Sequence, residues 1–246
     1  MKPHSRPISR LADAHHAITS CEKCARLRDY CTRVAREKKR AHRDDIYWGR
    51  PVPGFGDPGA SVLVLGLAPA AHGANRTGRV FTGDGIGGSG DFLMTAMQKN
   101  GFASLATSQR ADDGLRLIDA YIAAAVRCAP PANKPTPEEI TRCLDHLAVE
   151  VECLPRIRVV VALGKIAFDA WLQLLKRRGV RLSPRPVFGH EVVVRFDDVG
   201  ASDLPVLVGS FHPSRQNTNT GRLTPDMLAG VFRTAKHLAV RVAGDA

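Results

Sequence analysis

The sequence contains no apolar segment long enough to cross a membrane. Its longest apolar runs cover residues 61–67, 121–126 and 159–163, far short of the ~20 residues that a membrane-spanning helix requires. The first ten residues, MKPHSRPISR, lack the apolar core of a secretory signal. We therefore expect a cytoplasmic protein without a membrane partner.

The chain is also too long and too apolar for a peptide hormone, a disordered tail or a fibre. It has 246 residues, and 44% of them are hydrophobic, which is enough to bury a substantial core. No internal repeat or low-complexity segment is visible. We expect one domain over residues 1–246, beginning with a helical segment at about 11–44, and a monomer.

Acidic residues are scarce relative to basic ones. The chain has 24 Asp and Glu against 35 Lys and Arg, a formal net charge of +11. A strongly basic protein favours a polyanionic partner, and nucleic acid is the commonest one. A genome that uses arginine heavily produces the same balance, so the charge alone leaves both explanations open.

The six cysteines are not expected to form disulfides, because cytosolic thiols are kept reduced. Cys21 and Cys24 form a CxxC pair near the N-terminus, and two further cysteines lie at 128 and 143. Four such thiolates can hold a tetrahedral zinc ion or a 4Fe-4S cluster, and the sequence does not separate the two. Cys31 and Cys153 are expected to be small buried residues.

The apolar pattern predicts strands alternating with helices. Short apolar runs, typical of strands buried on both faces, cover 61–67, 120–127, 158–163 and 204–210. Helices are predicted from an N-cap at Ser89, from a Thr136–Glu139 capping box, over 164–178 and over 225–242. This alternation predicts a parallel sheet with helices on both faces and ligand sites at the carboxyl ends of the strands.

Polar segments follow three of the predicted strands. The first is GLAPAAHGANRTGRVFTGDG, which lacks both the Gly-Lys-Ser/Thr of a P-loop and a GxGxxG that opens a helix, so we exclude nucleotide-cofactor binding. The second is RCAPPANKPTPEE. The third, GSFHPSRQNTNTGR, places His212 at a strand end beside small polar and basic side chains suited to DNA phosphates.

Four stretches together resemble the uracil-DNA glycosylase superfamily, most closely its iron-sulfur family 5. They are YWGRPVPGFGDP from Tyr47, GLAPAAHGANRTGRVFTGD from Gly66, VRCAPPANKPTPEE from Val126 and FHPS from Phe211. The resemblance covers the chain from about Cys21 to the final helix. It implies a three-layer α/β/α sandwich around a four-stranded, mainly parallel sheet, and hydrolysis of the N-glycosidic bond of a base flipped out of DNA.

The sequence departs from the better-known families of this superfamily at two places. Their first motif carries an Asp or Glu, whereas residues 66–69 here read Gly-Leu-Ala-Pro. The Asn that reads the uracil edge in the related A-type enzymes is replaced by Ala124. Family 5 shows the same departures and places an Asp later in the first loop, which matches Asp84. The loss of the Asn fits a broader range of bases, including hypoxanthine and ethenocytosine.

The resemblance implies a role for each site residue. We expect catalysis by Asp84 and His212, with Asn133 sharing water or base contacts, and stacking of Phe81 on the base. The remaining substrate-binding positions are Gly66, Ala68 and Ala124. DNA contacts are expected from Arg76, Arg79, Ser214, Arg215, Gln216 and Asn217. A structural 4Fe-4S cluster is expected on Cys21, Cys24, Cys128 and Cys143, with zinc as the less favoured alternative.

Two other functions remain open at this point. A non-catalytic nucleic-acid-binding protein would share the basic charge and the cysteines, but it has no need for Asp84 beside a strand-end His. A relative that traps abasic DNA covalently uses a His in a longer, Arg-rich first loop. The long stretch from His72 to Arg79 keeps that alternative open.

Overall fold

The computed structural model describes residues 7–196 and 204–244, so the basic start of the chain at residues 1–6 lies outside the described part. Its long helices are α1 (Pro7–Thr19), α2 (Ala25–Glu37), α4 (Ser89–Lys99), α5 (Pro137–Glu152), α6 (Lys165–Arg177) and α8 (Pro225–Gly244). Two short helices, α3 (Ala74–Thr77) and α7 (Arg215–Asn219), follow strands. The strands are β1 (Phe55–Gly56), β2 (Val62–Gly66), β3 (Ala120–Ala124), β4 (Val159–Leu163), β5 (Val193–Val194) and β6 (Val206–Ser210).

All six strands form one sheet, in the order β1-β3-β2-β4-β6-β5. The four central strands are parallel and are those that the apolar runs predicted. Each of them is fully buried along its length, as strands covered on both faces must be. The sheet is larger than the predicted four strands, because a two-residue antiparallel strand is added at each edge.

The helices form a layer on each face of the sheet. Alternate strand residues such as Val64 and Val161 pack with α4 and α8 on one face. Their neighbours, such as Leu65 and Val160, pack with α1, α5 and α6 on the other face. Successive strand side chains point to opposite faces, so each buried strand serves both cores. The predicted three-layer α/β/α architecture is confirmed.

The predicted N-terminal helix is broken at the CxxC pair. The helix expected over residues 11–44 is two helices, with a gap between Thr19 and Ala25 and a short 3-10 turn at 40–42. The hydroxyls of Thr19 and Ser20 both donate to the backbone oxygen of His16, at 3.0 and 2.8 Å. Such side-chain bonds to backbone carbonyls compete with helix continuation. The break therefore places Cys21 and Cys24 in irregular backbone rather than on a helix.

Helix starts were predicted with mixed success. Thr136 caps α5 with the reciprocal capping box, Thr136 side chain to Glu139 N–H and Glu139 side chain to Thr136 N–H, as expected. The prediction that Ser89 caps α4 was wrong, because Gly88 occupies the N-cap and Ser89 is already the first helical residue. Asp91, in the first turn of α4, instead accepts a hydrogen bond from the Gly87 N–H at 3.0 Å.

A buried ion pair joins the segment after β3 to α5. Arg127 and Glu150 are each 1% exposed, and Nη2 and Oε2 lie 2.6 Å apart. These two atoms are close but not aligned as a hydrogen bond, so charge rather than directional bonding holds them. Glu150 Oε1 also accepts from the Tyr121 hydroxyl at 2.8 Å and from the Gly54 N–H at 2.9 Å. Burial raises the pKa of Glu150, but Arg127 and these hydrogen bonds outweigh it and lower the pKa to about 2.

Glu150→Gln is expected to lower the free energy of unfolding by about 3–5 kcal/mol at neutral pH, because the Arg127 charge stays buried without its partner. The difference should shrink as the pH falls from 4.5, the ordinary Glu pKa, toward about 2, where the native carboxylate is itself protonated. Chemical denaturation of the wild type and the variant at several pH values measures the loss of unfolding free energy and its pH dependence. Glu152→Gln on the same helix removes only the exposed ion pair with Arg178 and should cost about 0–1 kcal/mol. Equal losses for the two variants would contradict the prediction.

Candidate active site

A cavity of about 390 Å³ opens at the carboxyl edge of the sheet. The loops after β2, β3 and β6 line it, as expected for ligand sites in parallel sheets. Nine residues predicted from the sequence lie on its wall: Gly66, Ala68, Phe81, Asp84, Ala124, Asn133, His212, Ser214 and Gln216. The structure thus brings together all of the predicted catalytic and base-binding positions.

The floor of this cavity is made of residues with little or no side chain. Gly66 and Ala124 end neighbouring parallel strands and are paired in register. A Cβ on Gly66 would lie 2.7 Å from Cε2 of Phe81, well inside the separation of 3.5–4.0 Å or so at which carbon atoms pack. Glycine at 66 is therefore required for the Phe81 ring to lie against the end of β2.

Phe81 and His212 form one wall of the cavity. Their ring centroids are 5.8 Å apart and their planes differ by 28°, an offset-stacked arrangement. Phe81 has φ +52°, a left-handed conformation that is costly for a residue with a large side chain. Packing against the end of β2 and against His212 holds the ring in this strained position.

His212 is held through its backbone, which leaves its imidazole free to face the cavity. Its carbonyl oxygen accepts from the Ser214 N–H and from the Asn217 amide, both at 2.8 Å. Burial lowers the pKa of His212 to about 4. The ring is therefore neutral at physiological pH and has one N–H to donate.

Asp84 lies half-buried in the glycine-rich loop after β2, on the cavity wall. Burial raises its pKa to about 6, although Arg76 and Arg215 act in the opposite direction. A Cβ at Gly73 would clash with Asp84 Oδ1, and one at Gly88 would lie 2.9 Å from Asp84 Cβ. The side chain is thus packed between two backbone segments that tolerate only glycine. Within the described residues, no hydrogen-bond donor contacts its carboxylate, which leaves both oxygens for water or substrate.

Two arginines of the first loop are used inside the protein. Arg79 is 8% exposed, and its guanidinium bonds Asp113 at 2.7 Å, Ser108 at 3.1 Å and Thr82 at 2.8 Å. Its position does not support the predicted DNA contact, because these partners already satisfy its donors. Arg76 likewise binds Asp45 at 2.7 Å and the Gly83 carbonyl at 2.8 Å, so it stabilises the loop that carries Asp84.

The short helix α7 carries the remaining predicted DNA contacts. Ser214 and Gln216 reach the cavity wall, and Arg215 is exposed at the start of the helix. Asn217 instead fixes the His212 backbone through its amide. Arg215 is therefore the arginine among the predicted DNA contacts that remains open to solvent, whereas Asn217 positions the histidine.

Asn133 lies on the third loop at the cavity rim. It is exposed, and both it and Ala132 have positive φ, +56° and +53°. Left-handed backbone at two consecutive residues other than glycine is uncommon, and such strain clusters at functional sites. This strain is a signal that the sequence does not show.

Gly73, Ala70 and Ser89 belong to the site but were not predicted from the sequence. Ala70 and Ser89 line the cavity, and Gly73 leaves space for the Asp84 carboxylate. Gly73 follows His72 in the loop motif, so the density of glycine there was the available signal. It did not indicate which glycine faced the carboxylate.

Three of the four predicted metal-binding thiols share one buried cluster. Cys24, Cys128 and Cys143 pack there with Leu27 and Cys31, while Cys21 is half-buried at the end of α1. Cys31 and Cys153 are 0% and 3% exposed, as expected for small core residues. Burial raises the pKa of Cys24 and, to about 12, that of Cys143.

The chemistry of this donor set fits a soft metal or an iron-sulfur group, since all four candidate ligands are thiols. The guanidinium of Arg142 opposes the rise in the pKa of Cys24, and that of Arg28 acts in the same way on Cys128. Across residues 7–196 and 204–244, however, no three His, Cys, Asp or Glu side chains are arranged as a formed metal site.

The comparison with protein families identifies the class. A model of the uracil DNA glycosylase superfamily matches residues 53–236, a range that contains β2 to β6 and every residue on the cavity wall. The chain belongs to the uracil DNA glycosylase superfamily.

Curated relatives narrow the comparison to one type. The chain is 49% identical over 222 residues to a type-5 uracil-DNA glycosylase of Thermus thermophilus, covering 90% of this chain and 95% of that protein. It is 47% identical over 230 residues to one of Mycobacterium tuberculosis, covering 93% and 82%. A type-4 enzyme of Pyrobaculum aerophilum is 30% identical over 173 residues, covering 70% and 69%. The predicted resemblance to family 5 is confirmed.

Asp84 is expected to titrate at a pH of about 6, which carbon-13 NMR of labelled Asp carboxyl groups measures directly. Arg215→Gln should raise this midpoint, because the guanidinium favours the ionised carboxylate. Lys176→Met removes a charge at the exposed end of α6 and should leave the midpoint unchanged. A wild-type midpoint near 3.8, the ordinary Asp value, would show that the carboxyl is not desolvated.

Proposed function

We propose that this protein hydrolyses the N-glycosidic bond of uracil in DNA and leaves an abasic site. The observation that carries the proposal is that one cavity holds both a carboxyl group of raised pKa, Asp84, and a neutral imidazole, His212. A protein that only binds nucleic acid needs neither group. Type-5 relatives named as uracil-DNA glycosylases support the same reaction.

The cavity suits a base taken out of the DNA stack. Its wall is largely apolar around Leu67, Val80 and Phe81, and an extruded base is held by stacking between apolar or aromatic groups. Breaking the bond leaves its electron pair on the base, which departs as an anion. The neutral imidazole of His212 donates a hydrogen bond to the oxygen where this charge develops, as in an oxyanion hole.

Asp84 acts on the sugar side of the same bond. Above its pKa it is a carboxylate, which stabilises the cationic sugar and orients a water molecule toward C1′. The water oxygen bonds to C1′, and the carboxylate takes up the released proton. Since Asp84 makes no internal hydrogen bond among the described residues, both of its oxygens remain for these tasks.

The range of bases should be broad. Gly66, Ala68 and Ala124 line the cavity without a side-chain hydrogen-bonding group, so the floor does not select one base edge. A site rejects an analogue strongly only where its buried polar groups would be left unpaired. Hypoxanthine and ethenocytosine in DNA are therefore included in the proposed substrates. The protein is proposed to act as a monomer.

The four thiols of Cys21, Cys24, Cys128 and Cys143 are proposed to hold a structural 4Fe-4S cluster. Three of them already share one buried cluster, and nearby Arg28 and Arg142 offset thiolate charge. Bound there, the group would fix the N-terminal helices against the loop after β3 rather than take part in base release.

The decisive assay incubates the protein with a uracil-containing duplex, followed by hot alkali and a denaturing gel. Strand cleavage is expected for the wild type, whereas a shifted covalent band would favour trapping and an unchanged strand simple binding. Asp84→Asn should lower the single-turnover rate by about 10² or more, and the wild-type rate should rise through pH 6 or so, the pKa of Asp84. Asp112→Asn, at an exposed ion pair, is the matched control and should retain the rate.

His212→Ala should slow uracil release more than release of 5-fluorouracil. A hydrogen bond to the departing base matters less when the base already stabilises negative charge. The single-turnover rates of the wild type and His212→Ala on both substrates give the comparison. An equal deficit for the two bases would assign His212 a structural role.

Purified protein is expected to contain iron and acid-labile sulfide, and Cys24→Ser should lose both. Cys153→Ser changes a buried cysteine outside the thiol cluster and should keep them. Metal and sulfide analysis of the purified wild type and both variants shows whether the four thiols hold an iron-sulfur cluster. Stoichiometric zinc without sulfide would replace the cluster proposal with the zinc alternative.

A further inference from the structure

A second cavity, of about 320 Å³, lies next to the base cavity. Four residues line both cavities: Ala70, Asp84, Ala132 and Asn133. Asp84 therefore stands at the boundary between them. In a nucleotide the sugar separates the base from the phosphate. If the base fills the first cavity and the sugar lies at Asp84, the adjoining phosphate is brought to the second cavity.

The second cavity carries basic side chains from the end of the N-terminal helices. Lys39 and His42 line it, and Lys38 just before them has φ +55°, which turns the chain back after α2. His42 Nδ1 lies 3.4 Å from Asp45, and Arg76 binds the same carboxylate at 2.7 Å. Among the described residues, Lys39 makes no ion pair. Its ammonium group is thus available to an anion.

His72 supplies a neutral donor to the same cavity. Its Nδ1 lies 3.0 Å from the Tyr47 hydroxyl oxygen. That oxygen also accepts a hydrogen bond from the backbone N–H of Lys39, at 3.5 Å. The hydroxyl proton is then directed to Nδ1, which leaves the ring proton on Nε2. Burial and the nearby Lys39, His42 and Arg76 lower the pKa of His72, so the ring remains a neutral N–H donor.

We propose that this second cavity binds a phosphodiester of the DNA strand beside the extruded nucleotide, through Lys39 and His72. The proposal rests on the proposed function, because it requires the nucleotide to enter with its base in the first cavity. Such a contact places C1′ against Asp84, since phosphate contacts fix register and orientation rather than sequence. Lys39 and His72 are accordingly positioning residues.

The test asks whether removing the Lys39 charge and removing the charge of one DNA phosphate affect the rate through the same contact. Duplexes are made with one uracil and a neutral methylphosphonate at one flanking position at a time. Single-turnover rates are then measured for wild type, Lys39→Met and the matched control Lys176→Met, with enzyme in excess of DNA but below saturation. On all-phosphate DNA, Lys39→Met should lose about tenfold, the worth of one hydrogen bond to a charged group.

One methylphosphonate position should slow the wild type by a similar factor and slow Lys39→Met no further. Lys176→Met should keep the full sensitivity of the wild type at that position, and His72→Asn should lose part of it. If the rate losses from Lys39→Met and from the methylphosphonate multiply at every position, the proposal is overturned. Lys39 would then contribute only to the overall positive charge of the protein and not to one phosphate contact. If the wild type releases no uracil from any duplex, the proposed function itself fails, which is a different result.

Discussion

The site depends on one steric constraint: the Asp84 carboxyl group is packed against backbone that has no room for a Cβ. Gly73 and Gly88 provide this space, and Gly66 does the same for the Phe81 ring in the same cavity. Because glycine removes the side chain at these points, the loop after β2 can close around a carboxyl group and partly desolvate it. The raised pKa of Asp84 follows mainly from this burial, and the nearby charge of Asp91 makes a smaller contribution in the same direction.

The loop after β3 is held by a different kind of interaction. Arg127 lies near the start of this loop and pairs with Glu150 of α5 in the protein interior. His15 of α1 reaches the same network through the Tyr121 hydroxyl, at 2.7 Å. Two helices and a strand thus meet at one buried carboxylate. Cys128 and Asn133 follow directly along the chain, so the thiol cluster and the cavity rim share a rigid base.

The sequence predicted the central strands because each is an apolar run buried on both faces, and it predicted Asp84 and His212 because they follow such strands. It did not predict that Arg79 is internal, since its partner Asp113 lies 34 residues away and nothing local distinguishes a paired arginine from a free one. The helix break at 20–24 depended on hydroxyl groups bonding back to His16, in competition with a favourable helical pattern. The two-residue edge strands are too short to leave any periodic signal.

The left-handed backbone at Ala132 and Asn133 places a limit on engineering. At Ala132 this backbone costs about 1–2 kcal/mol relative to the ordinary conformation, whereas asparagine adopts it more readily. Glycine at 132 would relieve that cost, so a screen that rewards heat resistance alone would favour it there. The more heat-resistant variants would have a more flexible cavity rim, so selection for stability and selection for activity would act in opposite directions at this one residue.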